Sequence, residues 1–155
     1  MPIQLLQDAQ ALQERTVALR REIHRHPELG LDLPRTRAAV LESLQGLDLE
    51  LALSASTSGI VATLHGAKAG PAVLLRGDMD ALPMPEDTGL PFASEEAGCM
   101  HACGHDGHTT MLLGAARYLA ETRGFQGTVH FIFQPAEENE GGGRVMVEEG
   151  LFETF

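Results

Sequence analysis

The hydrophobic positions of this chain change period several times between the N-terminus and residue 150. Over residues 4–26, Leu5, Ala9, Leu12, Leu19 and Ile23 recur in steps of three and four, with Thr16 filling the gap, which predicts an amphipathic helix. Pro27 disfavours helix at His26, and Gly30 suits a turn. Pro34 fits the first turn of a second helix over 34–45, which Gly46 stops. Residues 47–53 (LDLELAL) alternate, at least through Glu50, and predict a strand with one buried face near a sheet edge. Residues 59–65 (GIVATLH) and 72–75 (AVLL) are apolar on both faces and predict strands of a sheet covered on each side, joined by a turn over 66–71. A helix over 107–122, apolar almost all round, predicts a buried element, and residues 127–134 (GTVHFIFQ) predict another buried strand. A last helix is predicted over 144–150. The order α-α-β-β-β-loop-α-β-loop-α implies an α/β domain, a mixed sheet flanked by helices on both faces.

Two irregular stretches interrupt this pattern, and both follow strands, where open α/β sheets bind ligands. The first, residues 77–104, exceeds the roughly 12–15 residues beyond which a structureless loop in a compact domain is usually functional or disordered. It holds Asp78 and Asp80, two residues apart, so that both would point the same way if the strand continued. It also holds both cysteines, and it runs into Met100-His101-Ala102-Cys103-Gly104-His105-Asp106-Gly107-His108, where three of the seven histidines lie beside a cysteine. Thiolate and imidazole are the usual ligands of zinc-like ions. The glycine between Cys103 and His105 lets both side chains turn toward one point, and the following helix N-terminus should favour the thiolate. His105 is the better ligand candidate; His101 and His108 fit supporting places. The second stretch, Pro135 to Gly143, crowds Glu137, Glu138 and Glu140 at the end of a buried strand. Adjacent carboxylates can divide two roles, one holding a metal and the other taking a proton from an activated water. Together the loops supply a thiolate, imidazoles and carboxylates, an inventory that suits two divalent ions about 3.5–4 Å apart, as in many hydrolases.

Composition narrows the partners. The chain has 155 residues, 43% apolar and 21% charged, which fits one globular domain and is too apolar for a disordered tail. With 22 acidic residues against 11 Lys and Arg, the formal charge is -11, which argues against nucleic acid and anionic lipid as partners. No apolar run reaches the roughly 18 residues of a membrane span, and the N-terminus has no basic region ahead of an apolar stretch, so a cytoplasmic protein is expected. Two cysteines, Cys99 and Cys103, make no disulfide framework; in a reducing compartment they read as free thiol or metal ligand.

Four stretches, LRREIHRHPELG (19–30), LLRGDMDALPM (74–84), MHACGHDGHTTMLLGAA (100–116) and FIFQPAEENEGGG (131–143), resemble the metal-dependent amidohydrolases related to aminoacylase and the carboxypeptidase G type. The closer subgroup contains hippurate hydrolases, N-acyl-amino-acid amidohydrolases and plant indole-acetyl-amino-acid hydrolases. The resemblance implies a catalytic α/β domain with two divalent ions (zinc, manganese, nickel or cobalt), a small N-acyl amino acid as substrate, and a homo-oligomeric parent enzyme. It implies Cys103, His105 and Glu138 as metal ligands, Glu137 as the general base and Asp80 as the acid that orients the site. Asp78 stands where more distant relatives carry a ligating histidine. Family members run well over twice this length, with a lid and dimerisation domain, C-terminal catalytic segments and two further histidine ligands. The 155 residues are therefore expected to be the N-terminal portion of the catalytic domain, and inactive on their own. Two other readings stand beside this one: a non-catalytic metal-binding fragment, and a dipeptidase or aminopeptidase of the same clan, against which Arg76, Asp78 and Cys103 speak.

Overall fold

The computed structural model describes residues 2–153. Helices α1 (Pro2–Ala11), α2 (Gln13–Arg25) and α3 (Pro34–Leu44) come first, followed by strands β1 (Glu50–Leu53), β2 (Ile60–His65) and β3 (Lys68–Asp78). Helix α4 (His105–Thr122), strand β4 (Gln126–Gln134) and helix α5 (Gly142–Glu148) complete the order. The strands form one four-stranded sheet in the order β1-β2-β4-β3. β2 pairs antiparallel with β1 and β4, whereas β3 runs parallel to β4, so the sheet is mixed as expected. The parallel pair needs a crossover, and the long loop with α4 supplies it.

Period-2 alternation builds the core. Ile60, Ala62 and Leu64 of β2 and Val129, Phe131 and Phe133 of β4 point to one face, where Val40 and Leu44 of α3 and Leu112, Leu113 and Ala116 of α4 cover them. The opposite face carries Val61 and Ile132, covered by Met146 of α5. Among the described residues helices thus sit on both faces, α2, α3 and α4 joined to the larger core and α5 on the other side. No helix among the described residues is long and apolar enough to cross a membrane.

Several expectations need correction. The helix expected over 4–26 is divided at Leu12, whose N–H bonds back to Ala9 in a tight turn while its carbonyl accepts from both the amide and the hydroxyl of Thr16. The strand expected over 47–53 is only Glu50–Leu53, and all four of its residues are exposed; it is the sheet edge, and it is Leu47 and Leu49 just before it that reach the core. The stretch 72–75 is a strand but not a buried one: β3 lies at the other edge and is exposed over most of its length. It also begins at Lys68, inside the expected turn, and β4 separates it from β2. Helix α4 starts two residues earlier than expected and leaves Met111 exposed, and α5 is shifted to 142–148.

Candidate metal centre

The site lies where β3 and β4 end, at the start of α4. Asp78 is the last residue of β3, paired in register with Gln134, the last of β4. Beyond it the chain leaves the strand, so Asp78 and Asp80 do not share a face as a continued strand would require. They approach His105 from different sides. The carbonyl oxygen of Asp80 lies 2.9 Å from His105 Nδ1, and an Asp78 carboxylate oxygen lies 3.6 Å from Nε2. Because a carbonyl can only accept, Nδ1 carries the proton and the Nε2 lone pair is left for a ligand.

Asp80 also fixes the acidic loop. Its side chain is buried, and its two oxygens accept the backbone N–H groups of Glu137 at 2.9 Å and Glu138 at 3.0 Å. The turn that offers those amides is tight. Ala136, fully buried, holds φ at +50°, a conformation costly for a non-glycine residue. Gly142 closes the turn with its N–H on the Ala136 carbonyl, and a Cβ there would overlap the Pro135 carbonyl oxygen. One aspartate thus ties the histidine loop to the glutamate loop.

The residues converge in two groups that share His105. One ligand atom from each of Cys103, His105 and Glu138 lies within 4.8 Å of the others, and the same holds for Asp78, His105 and His108. Thiolate, imidazole and carboxylate within that span are the donor set of a zinc-like or similar divalent ion. Glu137 is exposed beside Glu138 and stays outside both groups. In the second group Asp78 is already engaged, accepting Arg76 and His108 at 2.7 Å each, and His108 stacks on His105 with ring centroids 5.6 Å apart.

Local charge acts on Cys103 against the sequence expectation. Its hydrogen bond to Glu138, then some desolvation and the negative charges of Glu138, Asp78 and Glu137, push its thiol above the usual range. The carboxylates outweigh the helix N-terminus, so the thiolate expected from the dipole is disfavoured until a cation enters. Ligand protons leave when metal binds such a site. His101 is buried, and neither ring nitrogen has a hydrogen-bond partner among the described residues. Burial holds it at about 4, against the pull of Asp106.

The motif Arg20 to Gly30 also serves the site, which helix periodicity alone did not reveal. Arg20 and His24, four apart and so on one helical face, both reach Asp106, while Glu28 accepts the N–H groups of Arg35 and Thr36 at the start of α3. A polar pair at i,i+4 beside the buried Ile23 was the available signal.

The sequence profile of peptidase family M20/M25/M40 matches residues 74–155. The chain belongs to this family. A hippurate hydrolase of Campylobacter jejuni is 46% identical over 137 residues, covering 88% of this chain and 36% of that protein. An N-acyl-L-amino acid amidohydrolase of Geobacillus stearothermophilus is 45% identical, covering 88% and 38%. Among solved structures, a dinuclear metal-binding M20-family peptidase of Bacillus subtilis superposes with a TM-score of 0.86 at 41% identity, covering 92% of this chain and 40% of that one. The chain therefore spans between a third and two fifths of the length of these family relatives.

Proposed function

We propose that this chain is the N-terminal portion of the catalytic domain of a longer metal-dependent amidohydrolase that cleaves the amide bond of N-acyl amino acids. The observation that carries the reading is the convergence of Cys103, His105 and Glu138 within 4.8 Å, with Glu137 fixed next to them by Asp80. The names of the hippurate hydrolase and the acyl-amino-acid amidohydrolase, each matched over 88% of this chain, support the substrate class.

Cys103, His105 and Glu138 would hold divalent metal, with the ligands of a second ion completed by segments beyond these 155 residues. When bound, the metal supplies Lewis acidity, polarising a carbonyl and lowering the pKa of a water toward neutrality. Glu137, exposed and free of the metal groups, takes the proton from the attacking water and passes it to the departing amine nitrogen. Asp80 holds Glu137 and Glu138 through their amides and His105 through its own carbonyl, so a single buried residue keeps base and ligands in mutual register. The donor set admits zinc, manganese, nickel or cobalt. A cytoplasmic location and a homo-oligomeric parent belong to the same proposal.

In the full-length protein, Glu137→Gln should keep its metal content and lose about 100- to 10,000-fold in turnover of a hippurate-like substrate, since an amide cannot accept the water proton. Metal content equal to the unmodified protein with turnover within a factor of a few would remove Glu137 from this role. Equal metal content in Cys103→Ala would remove the ligand assignment.

A further inference from the structure

Asp106 follows the ligand candidate His105 directly and is fully buried. A carboxylate in that position is costly unless it is paired and hydrogen-bonded. Its partners come from α2. Arg20 Nε lies 2.6 Å and His24 Nδ1 2.7 Å from Asp106 Oδ2, and Oδ1 accepts the Gly107 N–H at 2.9 Å. The other nitrogen of His24 lies 3.3 Å from Glu86, in the long loop, and Phe92 of that loop packs edge-on against the His24 ring. Helix α2 and the start of α4 therefore meet at the Asp106 carboxylate, and the loop joins them through His24.

His105 is buried and held at Nδ1 by the Asp80 carbonyl, but the Cys103-Gly104 step before it has little else to hold it. Cys103 is exposed, and Gly104 takes φ +88° with nothing within 4 Å of where a Cβ would stand. Packing does not define that step; its flanks do. On one side Met100 exchanges two backbone hydrogen bonds with Leu82, at 2.9 and 3.0 Å. On the other stands the clamped Asp106. Cohesion between α2 and α4 does not require the clamp, since Leu19 already packs into the same core cluster as Leu112 and Leu113. Buried ion pairs are weak sources of stability and better attested as devices that fix one arrangement.

We propose that Arg20 and His24 are positioning residues that act through Asp106 to hold Cys103 and His105 in ligating geometry. The proposal rests on the metal-centre reading above. Its test uses the full-length protein titrated with cobalt(II), whose near-ultraviolet thiolate charge-transfer band reports coordination by Cys103. His24→Leu removes the donor to Asp106, Arg20→Gln removes the guanidinium, and His24→Asn keeps an N–H where Nδ1 stood. His24→Leu and Arg20→Gln should each weaken cobalt binding about 10- to 100-fold and diminish the band, while His24→Asn stays within roughly threefold of the unmodified protein. A merely structural role predicts lower melting temperatures in the metal-free variants with binding and band unchanged in the folded protein. Cobalt affinity within about twofold and an unaltered band in both His24→Leu and Arg20→Gln would overturn the proposal, against the loss expected for groups that support ligands. If His24→Leu does not fold, Arg20→Gln decides by the same criterion, since its side chain is 38% exposed. A band in the unmodified protein that Cys103→Ala leaves intact overturns the metal-centre reading, and this proposal with it.

Discussion

Asp80 makes three contacts that no neighbour duplicates: its carbonyl meets His105, and its two carboxylate oxygens meet the amides of Glu137 and Glu138. The carboxylate contacts can be broken separately from the carbonyl one. Asp80→Asn places an NH2 against an amide N–H, leaving one donor unpaired, and should cost about 1.5–3 kcal/mol in the metal-free protein. Asp80→Ala strands both amides and should cost more than Asp80→Asn. Urea midpoints of the two variants check this, and the reverse order would show that the acidic turn is held by other means. The ligand types themselves were legible in the sequence, because Cys103, Gly104 and His105 lie within three positions and the glutamate pair is adjacent. The roles of Asp106 and His24 were not. Their contact joins residues 82 positions apart, and nothing local marks which aspartate a helix-borne histidine will meet.

At the scale of elements, strand identity was more legible than strand environment. The alternation in β2 and β4 fits a real core face, and β4 is buried along most of its length. The stretch AVLL in β3 has the same apolar character yet is largely exposed, because burial at an edge depends on what lies beyond the edge, and no local pattern encodes that. β4 also carries His130 on its other face, where Nδ1 lies 2.9 Å from the Thr63 hydroxyl. Burial first, then the neighbouring His65, hold His130 below the ordinary histidine range. A histidine depressed in the folded state binds its proton more readily when unfolded, so stability falls as pH drops through the unfolded value of about 6.5. His101, held at about 4, acts in the same sense across that window. In metal-free protein, unfolding free energy should therefore fall between pH 7 and pH 4, at most by about 1.4 kcal/mol per pH unit for each histidine. His130→Gln should make the fall shallower, with the His101 part retained. An unchanged slope in that variant would mean that His130 protonates as easily folded as unfolded.

At the scale of the whole chain, β3 is an edge strand that turns apolar side chains to solvent on both of its faces. Val73, in register with Val129, and Leu74, in register with His130 on the other face, are 49% and 42% exposed. An exposed apolar edge strand of this kind favours association. The 155-residue chain alone should self-associate with rising concentration in sedimentation experiments, and Leu74→Lys should reduce it. The same chain should bind divalent metal weakly and leave N-acyl amino acids uncleaved, since the second ion's ligands are proposed to come from elsewhere. Steady, metal-dependent hydrolysis by it, abolished in Glu137→Gln, would show that Cys103, His105 and Glu138 suffice. The strand order has a further consequence, for synthesis on the ribosome. Among the described strands β4 lies between β2 and β3 yet is made after both, so β2 and β3 have no shared neighbour until everything from Met79 to Phe125 has been translated. At roughly 5–20 residues per second that interval is on the order of seconds, during which two apolar strands wait for the partner that separates them. The glutamate pair arrives at the very end of that late strand, so the nascent chain displays its cysteine and histidine first and gains its carboxylates only when the sheet closes.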